Sequence, residues 1–322
     1  MRRFLPLALA LLALGFGPSE AAVDLCAPRL LVLSAFPGEI DMLLTQADIG
    51  GIEEIEGRRF FVGTLRGNDV VLALSGIGLV NAEVTTTNAF AHFSCGGETA
   101  ITGVVFSGVS GGTTNIGDVA VPDRWTMDGT TWFVVDPAMF ATAEQASAAV
   151  HLTRRVPIGD LACVGVDPAI VRTIRMPNAP KITFHGDGKS ADSFNGRRWP
   201  CIPGGGDIFG CEPCRAPLTA PDVQKFVEDV RPFVDPDFFF GYFESPPPAT
   251  TEYAAEDMET AAVAKVSTAA GIPFIAFRSL SDGKGDPLRL PDFPAQFFFY
   301  RQLAADNAAL VTLAFLEAWA GI

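Results

Sequence analysis

Basic side chains are scarce in this 322-residue chain: 23 Lys and Arg stand against 37 Asp and Glu, a formal net charge of −14. Without a cationic footprint the chain has nothing to track a phosphate backbone, which excludes nucleic acid as a partner. There are only three histidines, His92, His151 and His185, and they do not cluster. Cys211-Glu-Pro-Cys214 has the spacing of half a zinc site, but only Cys201 lies near it, so no metal is expected. Internal repeats, heptad runs and low-complexity tails are absent. Beyond the first residues no stretch is long and apolar enough for a transmembrane helix. What remains is 48% hydrophobic and 19% charged, which supplies a large core and argues against global disorder.

The N-terminus reads as a secretory signal: basic Arg2 and Arg3, an apolar run from Phe4 to Phe16, and small residues in Ser19-Glu20-Ala21. Cleavage after Ala21 leaves residues 22–322 as one domain, secreted or periplasmic, with no membrane attachment. Six cysteines remain (Cys26, Cys95, Cys163, Cys201, Cys211 and Cys214). In an oxidising compartment an even number predicts disulfides, with the pairing left open.

Along the chain, apolar strand patterns alternate with helical ones. Residues 29–36 form a continuous apolar run, as in a strand covered on both faces, and Ile40 opens a helix after Pro37-Gly38-Glu39. Residues 59–66 and 68–74 read as a hairpin, followed by Ser75-Gly-Ile-Gly78 and a helix from Val80 to Phe93. Thr102 to Phe106 is a buried strand running into a second Gly-rich turn, Ser107 to Gly112, and Asp118 to Pro122 is another strand. A helix is expected at 143–154 and a strand at 181–184. Between Asn195 and Thr251 Pro, Gly and Cys become dense, which marks an inserted, disulfide-held excursion with a short helix at 222–230. A long apolar helix from Phe297 to Trp319 closes the chain. The alternation predicts a three-layer α/β/α domain around a mixed, mostly parallel sheet.

Two late pieces carry the chemistry. Residues 255–266 have helical spacing, with Met258, Ala261, Ala262 and Val266 on one face and Glu259 in the first turn, where the helix dipole favours a carboxylate. Pro273 to Phe277 then reads as a buried strand that ends in Arg278, Ser279, Ser281 and Asp282. A helix start and a strand end that each deliver a carboxylate can assemble a pocket. Capping and turn formation are the structural alternative for either residue alone.

Ser34-Ala-Phe-Pro-Gly-Glu39, Ser75-Gly-Ile-Gly78, Ser107 to Gly112, Ser190 to Phe194, Asp257-Met-Glu259 and Arg278-Ser-Leu-Ser-Asp282 occur in one order. In this the chain resembles the nucleoside phosphorylase superfamily, most of all its 5′-methylthioadenosine/S-adenosylhomocysteine nucleosidases. The acidic run that precedes the family's water-activating glutamate is here Phe36-Pro37-Gly38, and the excursion is longer than usual. The resemblance implies roles. Asp282 would protonate the purine N7, its pKa raised by burial and by neighbouring Asp257 and Glu259, and Glu39 would activate water. Glu259 would take the ribose 2′-OH with Met258 against the sugar. Phe194 would stack on the base and the Asn195 backbone would read its edge. Ser75 and Gly76 would line the ribose and base side, Arg278 and Ser281 would position the carboxylates, and Phe297 or a neighbour would cover the 5′ substituent.

The partner so implied is a small purine nucleoside, with no cofactor, and the assembly a homodimer. A phosphorylase would need arginines at its anion site, one in the first loop and one near the second Gly-rich turn. Residues 34–40 and 74–81 have none, which favours water as nucleophile. An exported nucleoside-binding or storage protein without turnover is the other alternative.

Overall fold

The computed structural model describes residues 23–157, 173–201, 205–213, 252–290 and 293–322. The expected signal segment (1–21), Cys163, Cys214, the 222–230 helix and most of the excursion lie outside these residues. The elements are β1 (Arg29–Ser34), α1 (Pro37–Gln46), β2 (Asp48–Ile55), β3 (Arg58–Leu65), β4 (Asn68–Leu74) and α2 (Leu79–His92). The short β5 (Ser94–Cys95) and β6 (Glu98–Thr99) follow, then β7 (Ile101–Asn115), β8 (Val119–Val121), β9 (Arg124–Thr126) and β10 (Trp132–Val134). Next come α3 (Pro137–Ser147), β11 (Arg155–Pro157), β12 (Thr173–Arg175), β13 (Ile182–Phe184), β14 (Asp187–Ser190) and α4 (Gly206–Phe209). The chain ends with β15 (Ala255–Asp257), α5 (Thr260–Ala270), β16 (Phe274–Lys284) and α6 (Ala295–Trp319).

A 12-stranded mixed sheet forms the middle layer, in the order β10-β9-β14-β15-β7-β1-β4-β3-β2, with β16 joined to β7 and β8, and β13 to β8. β1 lies parallel to both β4 and β7, and β7 parallel to β16. That central position explains why Leu31, Val32 and Leu33 are wholly buried, as are Val104, Val105 and Phe106. Helix α6 packs on β16, β7, α1 and α3, and α2 packs on α5. The β3–β4 turn places Arg66 and Gly67 at φ +50° and +83°, the conformation that a two-residue primed turn requires. Cys26 pairs with Cys95, and Cys201 with Cys211.

Four local expectations are corrected. The second Gly-rich stretch is not a turn: β7 runs unbroken through Ser107–Gly112 to Asn115, because β16 pairs with it over its whole second half. For the same reason Arg278 to Asp282 lie within β16 rather than beyond its end. Residues 255–257 are strand, not helix; α5 starts at Thr260 with Glu259 as its N-cap. The helix expected at 143–154 lies at 137–147, where Pro137 sets the first turn and the Asp136 side chain accepts from the Ala138 and Met139 amides.

Candidate active site

The first loop and α1 deliver Glu39. Pro37 occupies the first turn of α1 and aims the next residues inward, so that Glu39 is only 1% exposed. Its Oε2 accepts from the Ala35 amide at 2.5 Å and its Oε1 from the Val109 amide at 2.7 Å. Burial pushes its pKa up to about 7 from 4.5, although Arg278 and the backbone N–H donors pull the other way. A carboxyl poised there can hold or release a proton near neutral pH.

Arg278 is the hub. Its side chain has no solvent exposure and lies over the Phe106 ring at 4.1 Å. Nε stands 2.7 Å from Asp257 Oδ2 and donates to Thr260 Oγ1 at 2.8 Å; Nη1 donates to the Val109 carbonyl at 3.1 Å and lies 3.5 Å from Glu39 Oε1. Nη2 is 3.4 Å from Glu259 Oε2. One guanidinium therefore faces three carboxylates, more negative charge than it neutralises if all are ionised. Glu259 shows the result: burial, with Asp257 and Glu39 beside it, raises its pKa against the pull of Arg278. Its Oε1 accepts from the Gly78 amide at 2.8 Å, which ties α5 to the first Gly-rich turn.

Asp257 at the end of β15 organises the start of α5. It accepts from the Glu259 and Thr260 amides at 3.1 and 3.2 Å and from the Ser190 and Thr260 hydroxyls, so helix-end N–H groups find partners. The Ser190 hydroxyl oxygen in turn accepts from the Ala261 amide at 2.8 Å.

The glycines of β7 make room for these groups. A Cβ on Gly108 would stand 2.4 Å from both Arg278 Nη1 and Glu39 Oε1, and one on Gly111 would stand 2.3 Å from Asp282 Oδ2. Asp282 is half-buried, with its Oδ1 accepting from the Ser281 hydroxyl at 2.8 Å. The carboxylates expected around it, Asp257 and Glu259, bond to Arg278 instead.

The remaining sequence candidates divide. Gly76 lines a cleft, but Ser75 is fully buried and its hydroxyl donates to the Gly76 carbonyl at 3.0 Å. The Phe194 ring crowds Gly78 and stacks at 31° on Trp199, with centroids 4.9 Å apart. Asn195 is exposed with φ +53°, and Met258 is half-buried. Phe297 meets Phe36 edge-on at 5.8 Å, just before α1.

Beside this cluster runs a tight cleft, with only about 10 Å³ of space open to a water-sized group, walled by Ala35, Gly76 and Ile77 on one side and by Trp199, Ile208 and Phe209 on the other. The second wall belongs to the excursion, closed on itself by Cys201–Cys211. It is fastened to the body by Asp207 to Arg301 at 2.7 Å, Glu212 to Arg59 at 2.7 Å, and the Trp199 carbonyl to Asn81 Nδ2 at 2.6 Å. Arg58 also lines the cleft, having crossed from the start of β3 to lie against Gly76. Neither Arg58 nor Trp199 had a local sequence signal; only the folded pairing of β3 with β4 brings that arginine to the turn.

The sequence profile of the phosphorylase superfamily matches residues 29–179 and 248–317. The chain belongs to the phosphorylase superfamily. An uncharacterized protein of Mycobacterium tuberculosis is 43% identical to this chain over 220 residues, covering 64% of this chain and 89% of that one. A 5′-methylthioadenosine/S-adenosylhomocysteine nucleosidase of Shewanella baltica is 25% identical over 292 residues, covering 90% of this chain and 96% of its own. Of solved structures, the corresponding nucleosidase of Colwellia psychrerythraea in complex with adenine superposes with a TM-score of 0.55 at 20% identity, covering 91% of this chain and 96% of that one. The futalosine hydrolase of Helicobacter pylori gives 0.53 at 16% identity, covering 90% and 98%. The superfamily's three-layer architecture is thus the fold of this chain.

Proposed function

We propose that this superfamily member hydrolyses the N-glycosidic bond of a purine nucleoside of the methylthioadenosine or S-adenosylhomocysteine type and releases the free base. The observation that carries this is the buried Arg278 hub, which holds Glu39 and Glu259 on one guanidinium beside a cleft. N-glycoside cleavage develops positive charge on the sugar, so carboxylates around the ring stabilise the transition state. Glu39, with a pKa near neutrality, accepts a proton from the attacking water. Glu259 accepts the ribose 2′-OH, and Asp282, where β16 becomes less buried, gives its proton to the departing base. Arg278 keeps the two glutamates apart in orientation and ionisation.

Export to an oxidising compartment is part of the same reading. Two disulfides close loops in the described residues, and such bonds persist where thiols are oxidised.

The test is to incubate the protein with methylthioadenosine, S-adenosylhomocysteine, adenosine and inosine and to separate free bases by chromatography. Adenine release that collapses in Asp282→Asn, while nucleoside binding largely survives, supports the reading. Binding without release of any base from the wild-type protein would assign the chain to binding or storage instead.

A further inference from the structure

The Arg58 guanidinium is held by neutral groups. Nη2 donates to Asn81 Oδ1 at 2.8 Å, and the Leu74 carbonyl lies 3.4 Å from Nη1. No carboxylate among the described residues reaches ion-pair distance of it. By contrast Arg59, Arg124, Arg278 and Arg301 each have an acidic partner at 2.7 Å. Arg58 is half-buried, and burial first and the Arg198 guanidinium second depress its pKa, against a weaker pull from the more distant Glu56 carboxylate. In a chain of net charge −14 this positive group has no carboxylate in direct contact among the described residues. Removing a guanidinium from water without an anion is costly, and an incoming anion recovers that cost.

The position is specific. Gly76 has φ +79° and no side chain, and a Cβ there would stand 2.6 Å from Arg58 Nη1, so the guanidinium lies flat against the turn. The same turn continues to Gly78, whose amide holds Glu259, and the facing residue Ala35 gives its amide to Glu39. The cleft thus shares Ala35 and the Gly76 turn with the backbone that holds the two glutamates, and its apolar lining (Ile77, Ile208, Phe209) suits an alkyl chain leading to the cation.

We propose that Arg58 is a specificity-determining residue that selects nucleosides whose 5′ substituent ends in a carboxylate over those with a neutral one. This rests on the nucleosidase reading for the placement of the sugar, but not for the existence of the anion site. Arg58 acts on ground-state and transition-state binding alike, so its effect falls on KM more than on kcat.

The experiment compares 5′-thioadenosine bearing a 3-carboxypropyl group on sulfur with its isosteric primary amide. Adenine release gives kcat and KM, and calorimetry gives Kd for the same pair. A charge-assisted hydrogen bond in a half-buried site predicts a carboxylate-to-amide preference of roughly 10- to 100-fold, mostly in KM and Kd. Arg58→Gln should bring that ratio to about one, and Arg58→Lys should keep part of it, since an ammonium retains the charge without the fork. The ratio cancels any loss of folded protein. A wild-type ratio near one, or a ratio that survives in Arg58→Gln, overturns the inference. If neither compound releases adenine while calorimetry shows the carboxylate preference and its loss in Arg58→Gln, the hydrolytic reading fails and the anion site stands. A parallel arm with inorganic phosphate separates the two sources of anion: phosphate-dependent base release that vanishes in Arg58→Gln would assign the site to free phosphate and overturn the substrate-carboxylate assignment.

Discussion

Arg278 and Glu39 face each other at 3.5 Å with side chains 0% and 1% exposed, so neither charge has water to fall back on. Replacing the arginine leaves three carboxylates in the core with no cation. Arg278→Met should therefore cost about 3–5 kcal/mol of folding stability, the range for breaking a buried ion pair. Urea unfolding followed by circular dichroism checks this. A loss below about 1 kcal/mol would mean that the carboxyls simply take up protons and are at ease without it.

The raised pKa of Glu39 makes both stability and activity depend on pH. Its carboxyl titrates at about 7 in the fold against 4.5 in the unfolded chain. The fold thus favours the protonated form, and the stability it contributes is complete below pH 4.5 and lost as pH rises through 7. Glu259 is shifted in the same direction by burial. The unfolding free energy from urea titrations should fall between pH 5 and 8, by up to about 1.4 kcal/mol per pH unit for each group, and Glu39→Gln should flatten part of that slope.

Activity should run the opposite way. A general base works only when deprotonated, so kcat/KM for adenine release should climb with pH through about 7. Glu39→Gln should remove both the climb and most of the rate, on the order of 100-fold or more. A pH–rate profile that is flat from pH 5 to 8 would take Glu39 out of the base role.

Gly108 tests whether β7 is shaped for its neighbours. Gly108→Ala drives a methyl into Arg278 and Glu39, and should cost about 1–3 kcal/mol by overpacking together with most of the activity. Gly50→Ala is the control, because the nearest atom to its new Cβ is 4.0 Å away. Thermal unfolding of the two variants should differ clearly, with Gly50→Ala close to wild type.

Trp199 covers one face of Phe194, so a base that stacks on Phe194 must meet or displace that indole. Adenine should change the tryptophan fluorescence of the wild-type protein, and Trp199→Phe should remove most of that change. An unaltered response in Trp199→Phe would place the base elsewhere.

Much of this was legible in the residues, in an instructive pattern. The buried run of β1, the β3–β4 hairpin and α6 follow from local apolar pattern alone. Asp257-Met-Glu259 and Arg278 to Asp282 could be singled out because their spacing is a motif. The stretch Ser107 to Gly112 misled, because serine and glycine locally signal a turn. Their reason is long-range: Arg278 and Asp282 arrive from β16, and Glu39 from α1, into space that only glycine leaves. β2 was missed because its residues alternate between exposed and half-buried and include charges and two glycines, which weakens its apolar pattern. Arg58 was invisible for a different reason, since a single arginine at a strand start carries no signature until the sheet is built.

Asn81, on the first turn of α2, accepts from Arg58 through Oδ1 and donates through Nδ2 to the Trp199 carbonyl. A carboxamide is the uncharged planar group that can do both at once, bracing the cation while leaving its charge available. Exchanging that one nitrogen for oxygen, as in Asn81→Asp, would supply Arg58 with its own counter-ion and release the Trp199 wall in the same stroke. The amide therefore works as a marker: a relative with arginine and asparagine at these two positions keeps an open seat for an anion, and one with arginine and aspartate has filled it from within.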